Sequence, residues 1–220
     1  AFDEYANRLG RDVRDEWSKV QGRFVDLIVN AAGEEQIDLL SRAIETTKTP
    51  KNYSELAERV AKNMQGQKGV ISKHLASSLS DCWPLHPIVA ALLGPISKRR
   101  FGQNQRSLFG FLNSAEPMGF QDFLNRASNN DLYTPALLWD YLQLNLEPSI
   151  LASPDGHRWA IAAEAIARCE TLGGDLELID LLKTISVIDL FKDRSGMIAN
   201  QEILRLARRD KSSAKSKKLV

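Results

Sequence analysis

The sequence predicts a mainly α-helical fold, and three observations carry that prediction. Apolar residues recur at i, i+3 and i+4 along most of the chain, the spacing that lines one buried helix face. Proline, glycine and Asn/Asp clusters mostly fall between those stretches, where they act as breaks. One short run alone, from Arg23 to Val29, has the length and the branched, aromatic composition of a strand.

Taken in order, residues 3 to 21 read as a helix with Tyr5, Leu9, Val13, Trp17 and Val20 on one face. Gly22 breaks it, and the short strand follows. Gly33 to Glu45 is helical, with Ile37, Leu40 and Ile44 as its stripe. Pro50 and Asn52 mark a turn into a helix carried by Tyr53, Leu56, Val60 and Met64, which the Gly66 to Gly69 loop ends. Val70 to Cys82 is a weaker helix. Pro84 and Pro87 punctuate the next stretch, and Pro87 suits the first position of a helix over 87–100, where its missing N–H costs nothing.

Phe120 to Ala127 and Pro135 to Leu146 are short helices on either side of the polar turn Ser128-Asn129-Asn130-Asp131. Ser153-Pro154-Asp155-Gly156 opens a long helix that Gly173-Gly174 ends near Leu172. Asp175 caps another, to Phe191, and Asn200 to Arg209 is the last. Residues 1–30 are expected to close one unit with a helix and strand, 31–150 to form a helical subdomain, and 151–209 a second one. Residues 210–220 form a basic, disordered tail.

Composition narrows the function classes. A chain of 220 residues, 43% hydrophobic and 26% charged, builds a core without staples. Cys82 and Cys169 stand far apart and form no disulfide framework, which points to a reducing, cytoplasmic setting. No apolar run approaches the ~18 residues of a membrane span. The opening Ala1-Phe2-Asp3-Glu4 enters a helix directly, as a piece of a longer protein would. The formal net charge of +1 conceals an asymmetry: residues 205–218 hold seven Lys/Arg against Asp210 alone, so residues 1–204 are net −5.

The most informative stretch runs from Cys82 to Ala115, which has no Asp or Glu but holds Lys98, Arg99, Arg100 and Arg106. Gly102 and Asn104 interrupt one helical pattern, and Leu108, Phe111 and Leu112 begin another. Arg106 therefore falls in or near the first turn of a new helix, where backbone N–H groups point outward. A cation there is unfavourable by roughly 0.3–1 kcal/mol until an anion arrives to use both. That combination marks a phosphate site, with Arg106, Asn104 and Gly102 as its residues.

Other chemistries are excluded by spacing. Gly66-Gln67-Lys68-Gly69 is no P-loop, and no apolar strand ends in Asp-Glu, so the chain cannot hydrolyse nucleotide alone. Ile179-Asp180 and Ile188-Asp189 lie in helical patterns as solvent-facing carboxylates. His74, Cys82 and His86 match no zinc spacing, and no metal site is expected; a partly buried His86 beside a helix start is the plain reading. No Gly-x-Ser-x-Gly elbow occurs. The tryptophans read as packing residues. Arg23, held between Gly22 and the strand, is either a functional arginine or a strand-edge residue pairing with Asp26 or Glu16.

Gln21-Gly22-Arg23-Phe24, the strand after it and the helix Glu35 to Ile44 resemble the end of the nucleotide-binding core in AAA+ and STAND ATPases of the origin-recognition type. Gly102-Gln103-Asn104-Gln105-Arg106, followed by Ser-Leu-Phe, resembles the Gly-Asn-Pro-Arg start of a lid helix in that group, with Gln105 in place of the frequent proline. The phrases Glu-Trp-x-Lys-Val-Gln-Gly-Arg-Phe, Leu-His-Pro and Leu-Leu-Lys-Thr-Ile are similar to large bacterial P-loop ATPases. Residues 175 to 209 look like the first two helices of a winged helix.

The resemblance implies a fold made of a core end with one strand, a helical lid and a partial winged helix. It implies that Arg106 senses nucleotide phosphate in its own subunit and that Arg23 acts as a catalytic arginine finger on a neighbour's nucleotide. ATP and Mg would be bound mainly by a P-loop domain outside this chain, the chain's first partner, in a homo-oligomer. Arg208, Arg209, Lys215, Lys217 and Lys218 of the tail are candidates for weak, non-specific nucleic-acid contact, the alternative being a solvated linker. The competing reading of the whole is a helical protein- or DNA-interaction module with no nucleotide role.

Overall fold

The computed structural model describes residues 33–46, 49–65, 73–99, 108–128, 130–192 and 197–208. The chain divides into two units, 1–31 and 32–220, and all described residues belong to the second. The helix expected over 3–21 and the strand of Arg23 to Val29 lie outside the described residues.

Ten helices account for most of what is described, with no strand among those residues: α1 (Gly33–Ala43), α2 (Lys51–Gln65), α3 (Lys73–Ser80), α4 (Pro87–Lys98), α5 (Leu108–Leu112), α6 (Phe120–Arg126), α7 (Pro135–Leu151), α8 (Gly156–Thr171), α9 (Leu176–Phe191) and α10 (Gln201–Ala207). The mainly helical fold read from periodicity is the one observed.

Helix α4 is the axis of this unit. Every residue from Pro87 to Ile96 is buried, so the helix is apolar on all sides, as a core helix must be. Helices α1, α2, α3, α5, α7 and α9 all pack on it. Pro87 takes the first turn as expected, while Pro95 sits inside the helix. Helices α8 and α9 pack against α7 and against one another, and α10 bridges α9 to α2.

The terminal signals act locally as the sequence suggests. Thr134 Oγ1 accepts from the Leu137 N–H at 3.3 Å, Asp175 Oδ1 from Leu178 at 2.7 Å, and Asn200 Oδ1 from Ile203 at 2.9 Å. Each satisfies a donor the first helical turn leaves open. One helix differs from expectation: α7 does not stop near Leu146 but continues through Pro148 to Leu151. Burial of Leu146 and Ile150 on the core side outweighs the hydrogen bond that Pro148 forfeits. Immediately afterwards, Gly156 lets α8 begin against α7, since a Cβ there would stand 2.1 Å from the Leu151 carbonyl oxygen.

Between α3 and α4, the Trp83-Pro84-Leu85-His86-Pro87 loop is pinned from three directions. Tyr53 of α2 donates its hydroxyl hydrogen to the Leu85 carbonyl at 2.6 Å, with the Leu79 carbonyl 3.1 Å away. Leu85 and Tyr133 form an isolated parallel bridge: the Tyr133 N–H donates to Pro84 at 2.9 Å and the His86 N–H to Tyr133 at 3.0 Å. His86 completes the set. Its Nδ1 accepts from the Ile88 N–H at 3.2 Å, capping α4, and its Nε2–H donates to the Leu206 carbonyl at 3.0 Å, at the end of α10. The imidazole is buried rather than partly buried, and both ring nitrogens are used in the neutral form.

Burial pushes the His86 imidazole down to about 4, against a partial opposing pull from the Leu206 carbonyl. Above pH 6.5 neither the folded nor the unfolded chain holds this proton. Below it the unfolded chain takes a proton that the folded chain refuses until about pH 4, so stability falls across that window. The loss reaches roughly 3 kcal/mol. His86→Asn keeps a cap acceptor but gives up the Leu206 bond and the titration. It is expected to lose about 2 kcal/mol at neutral pH and to flatten the pH dependence, as measured by denaturant unfolding from pH 7 to 4. Parallel pH profiles for the two proteins would refute the assignment.

Candidate functional site

Of the residues singled out from the sequence, Arg23, Gly102, Asn104, Arg106, Arg209, Lys215, Lys217 and Lys218 lie outside the described residues. Their surroundings along the chain are informative. In the sequence the run from Gly102 to Arg106 falls between the described helices α4 (Pro87–Lys98) and α5 (Leu108–Leu112). Arg99 is the C-cap residue of α4, and it is engaged: Nη1 donates to Asp155 Oδ2 at 2.7 Å and Nη2 lies 3.4 Å from the Leu190 carbonyl oxygen. Asp155 is the N-cap residue of α8, yet its carboxylate makes no cap bond and goes to Arg99 instead. One arginine of the basic run thus ties the ends of α4, α8 and α9 together.

Arg208 caps the C-terminus of α10 and pairs with Glu177 in the first turn of α9. That pairing with an acid on a neighbouring helix was not legible from the tail's composition. The carboxylate expected to face solvent at Asp189 does so, and Lys192 and then Arg158 hold it below its usual range.

His74, Cys82 and His86 are not brought to one place as a ligand set. Cys82 donates its thiol hydrogen to the Ser78 carbonyl at 3.2 Å, and burial, with Asp81 nearby, pushes that thiol up to about 12. A thiol so placed is inert as a nucleophile. His74 is exposed, 3.8 Å from Asp38, beside an open depression of about 780 Å³ that also takes in Asp81. Among the described residues no three His, Cys, Asp or Glu side chains converge. Trp139 and Trp159 stack at 4.1 Å and 12°, fully buried, and donate to Gln143 and Glu147.

A larger concavity was not anticipated. A cleft of about 900 Å³ opens where the N-terminal half of α2, the 83–87 loop, the α6–α7 connection and the end of α10 meet. Half-buried Trp83 supplies its aromatic wall, beside buried Tyr53, Phe123 and Tyr133, and Arg59, Arg126, Arg205 and Arg208 stand around it. Glu55 and Asp131 also line it. Arg59 pairs with Glu202 and Arg126 with Asp122, whereas Arg205 is exposed and has no ion-pair partner among the described residues. Its parts come from four distant segments. The one signal in the sequence was Arg205 and Arg208 at i, i+3 beside the basic tail.

The Arg99–Asp155 pair is the tie most readily tested. Asp155 is buried, so Arg99→Ala strands a carboxylate and should cost about 2 kcal/mol. Adding Asp155→Ser, which removes the charge and offers a cap hydroxyl, should recover at least half of it. Denaturant unfolding of the single and double variants measures both. Equal losses in the two would show that the charge pair is not the tie.

No protein-family model matches this chain, and no curated protein or solved structure matches it significantly.

Proposed function

We propose that the chain is the helical, nucleotide-sensing lid region of an AAA+/STAND-type NTPase whose P-loop core lies outside this sequence. The feature that supports the reading is in the sequence: Gly102, Asn104 and Arg106 follow α4 along the chain and precede the apolar Leu108, Phe111 and Leu112 of α5. Next to it, Arg99 reaches to the starts and ends of other helices. A displacement at the end of α4, in this reading, passes through Arg99 to α8 and α9. In this reading Arg106 neutralises charge on the substrate's terminal phosphate, and removal of that phosphate frees the lid to move. Arg23 supplies a cation to the neighbouring subunit. Mg is held by the core domain.

The exposed ends of α8 and α9 favour a second reading, an interaction module without a nucleotide role. Leu172 is 87% and Leu176 79% exposed on either side of Gly173-Gly174, far more than a leucine with a partner in its own fold.

ATP hydrolysis by the full-length parent separates the two. Arg106→Ala should lower turnover at saturating ATP at least about tenfold with an unchanged circular dichroism spectrum. Mixing Arg23→Ala with a variant lacking the P-loop lysine should recover part of the activity, since each supplies what the other lacks. Unchanged turnover for Arg106→Ala leaves the interaction module as the account.

A further inference from the structure

The outer side of the α8–α9 hairpin is an apolar face that no described residue covers. We propose that it pairs with the same face of a second copy of this chain, antiparallel about a two-fold axis. The proposal rests on the interaction reading of these helices, for which it names the partner, and it requires no nucleotide role.

The face follows from helical spacing. Of the sixteen residues of α8 only Gly156, Trp159 and Ile166 are buried. Ile161, Ala165, Arg168 and Leu172 are all exposed, at i, i+4, i+7 and i+11, which is one stripe of a helix. On α9 the outward stripe is Leu178, Leu181, Leu182 and Ile185. Trp159, stacked on Trp139, and Lys183, bonded to Asp140, mark the sides turned to α7, and the two stripes lie opposite them. They therefore run side by side. Arg158 donates to Asp189 Oδ2 at 2.7 Å across the open end of the hairpin and fixes its register. Counting from that pair toward the turn sets Ile161 about level with Ile185, Ala165 with Leu182, and Leu172 with Leu176.

Leu172 and Leu176 are 87% and 79% exposed and Ile161 56%, and a contiguous apolar patch of this kind marks an interaction surface. Two sixteen-residue helices side by side measure about 24 by 20 Å. A corrugated face of that footprint is of the order of the ~800 Å² that each partner brings to a specific interface.

Charge selects the partner. Glu164 and Arg168, 70% and 77% exposed, balance one another, so the face attracts neither a polyanion nor a polycation. Their spacing is self-complementary. An axis passing α8 at Ile166 places each Glu164 opposite the Arg168 of the other copy, and each Ile161 opposite the Leu172 of the other copy. The Arg158–Asp189 register sets Leu181 at the same level of α9. There the axis places each Leu178 opposite the Ile185 of the other copy. One axis thus matches acid to base and apolar to apolar on both helices. Ala165, small and beside the axis, lets the two α8 backbones approach closely. Within one chain Glu164 holds Arg168 at 3.7 Å, an exposed i, i+4 pair worth little, so both groups are available to a second copy. An isologous contact of this kind closes at two copies.

Sedimentation velocity of the 220-residue chain from low to high micromolar concentration reads the pairing directly. The expected result is a concentration-dependent shift from 24.6 kDa toward twice that mass. Ile161→Lys with Leu172→Lys should hold the chain monomeric throughout. Arg168→Glu should weaken pairing at least about tenfold, because it sets Glu164 against a second acid. Combining it with Glu164→Arg should bring pairing back to within about threefold of the unaltered chain. All four positions are exposed, and circular dichroism checks each variant. Should the double lysine variant fail to fold, the charge exchange decides. A monomer at every concentration, pairing untouched by the lysines, no recovery in the exchanged pair, or growth beyond two copies would overturn the proposal. The Arg106→Ala assay decides the interaction reading separately, so a monomeric chain combined with unchanged turnover would overturn the pairing alone and leave the face to a different partner.

Discussion

The described unit depends on how a five-residue loop is held. Residues 83 to 87 feed the chain into α4, and α4 is the helix on which most others pack. A loop at that position carries buried backbone groups that water cannot reach, and each needs a partner inside the protein. Tyr53 supplies one from α2, Tyr133 supplies a two-bond bridge from the segment before α7, and His86 turns outward to α10. Three elements far apart in sequence are thereby referred to one point. Removing any of these partners leaves a buried polar atom unsatisfied, which costs more than the bond itself contributes.

A second tie works at the other end of α4. Arg99 joins Asp155 and approaches the Leu190 carbonyl, so the C-terminus of α4, the start of α8 and the end of α9 meet at one guanidinium. Lys183 adds to the same layer by bonding Asp140 at 2.7 Å, α9 to α7, at a largely buried position. Between these two ends every residue of α4 from Pro87 to Ile96 is buried.

Local features were readable because local physics sets them. The stripe of Ile37 and Leu40, the proline at position 87, and the caps at Asp175 and Asn200 all act within a turn or two of themselves. Pro148 misled for the same reason: its local cost is real, and the burial of Ile150 that outweighs it is tertiary. His86 reads as a helix-start histidine in sequence, but its partner Leu206 stands 120 residues on, and no spacing rule reaches that far. The candidate cleft is legible only at Arg205 and Arg208. Arg59, Trp83 and Arg126 come from three other segments, and nothing in one dimension brings them together.

Held by these partners, the 83–87 loop is expected to open only when the whole unit does. Native-state hydrogen exchange reads this at the amides of His86, Tyr133 and Ala90, whose acceptors are Tyr133, Pro84 and His86. If the loop is the point to which the other elements are referred, His86 and Tyr133 will exchange with the same free energy as Ala90 in the core of α4, equal to that of global unfolding. Exchange of His86 and Tyr133 through a local opening several kcal/mol cheaper than that of Ala90 would contradict the account.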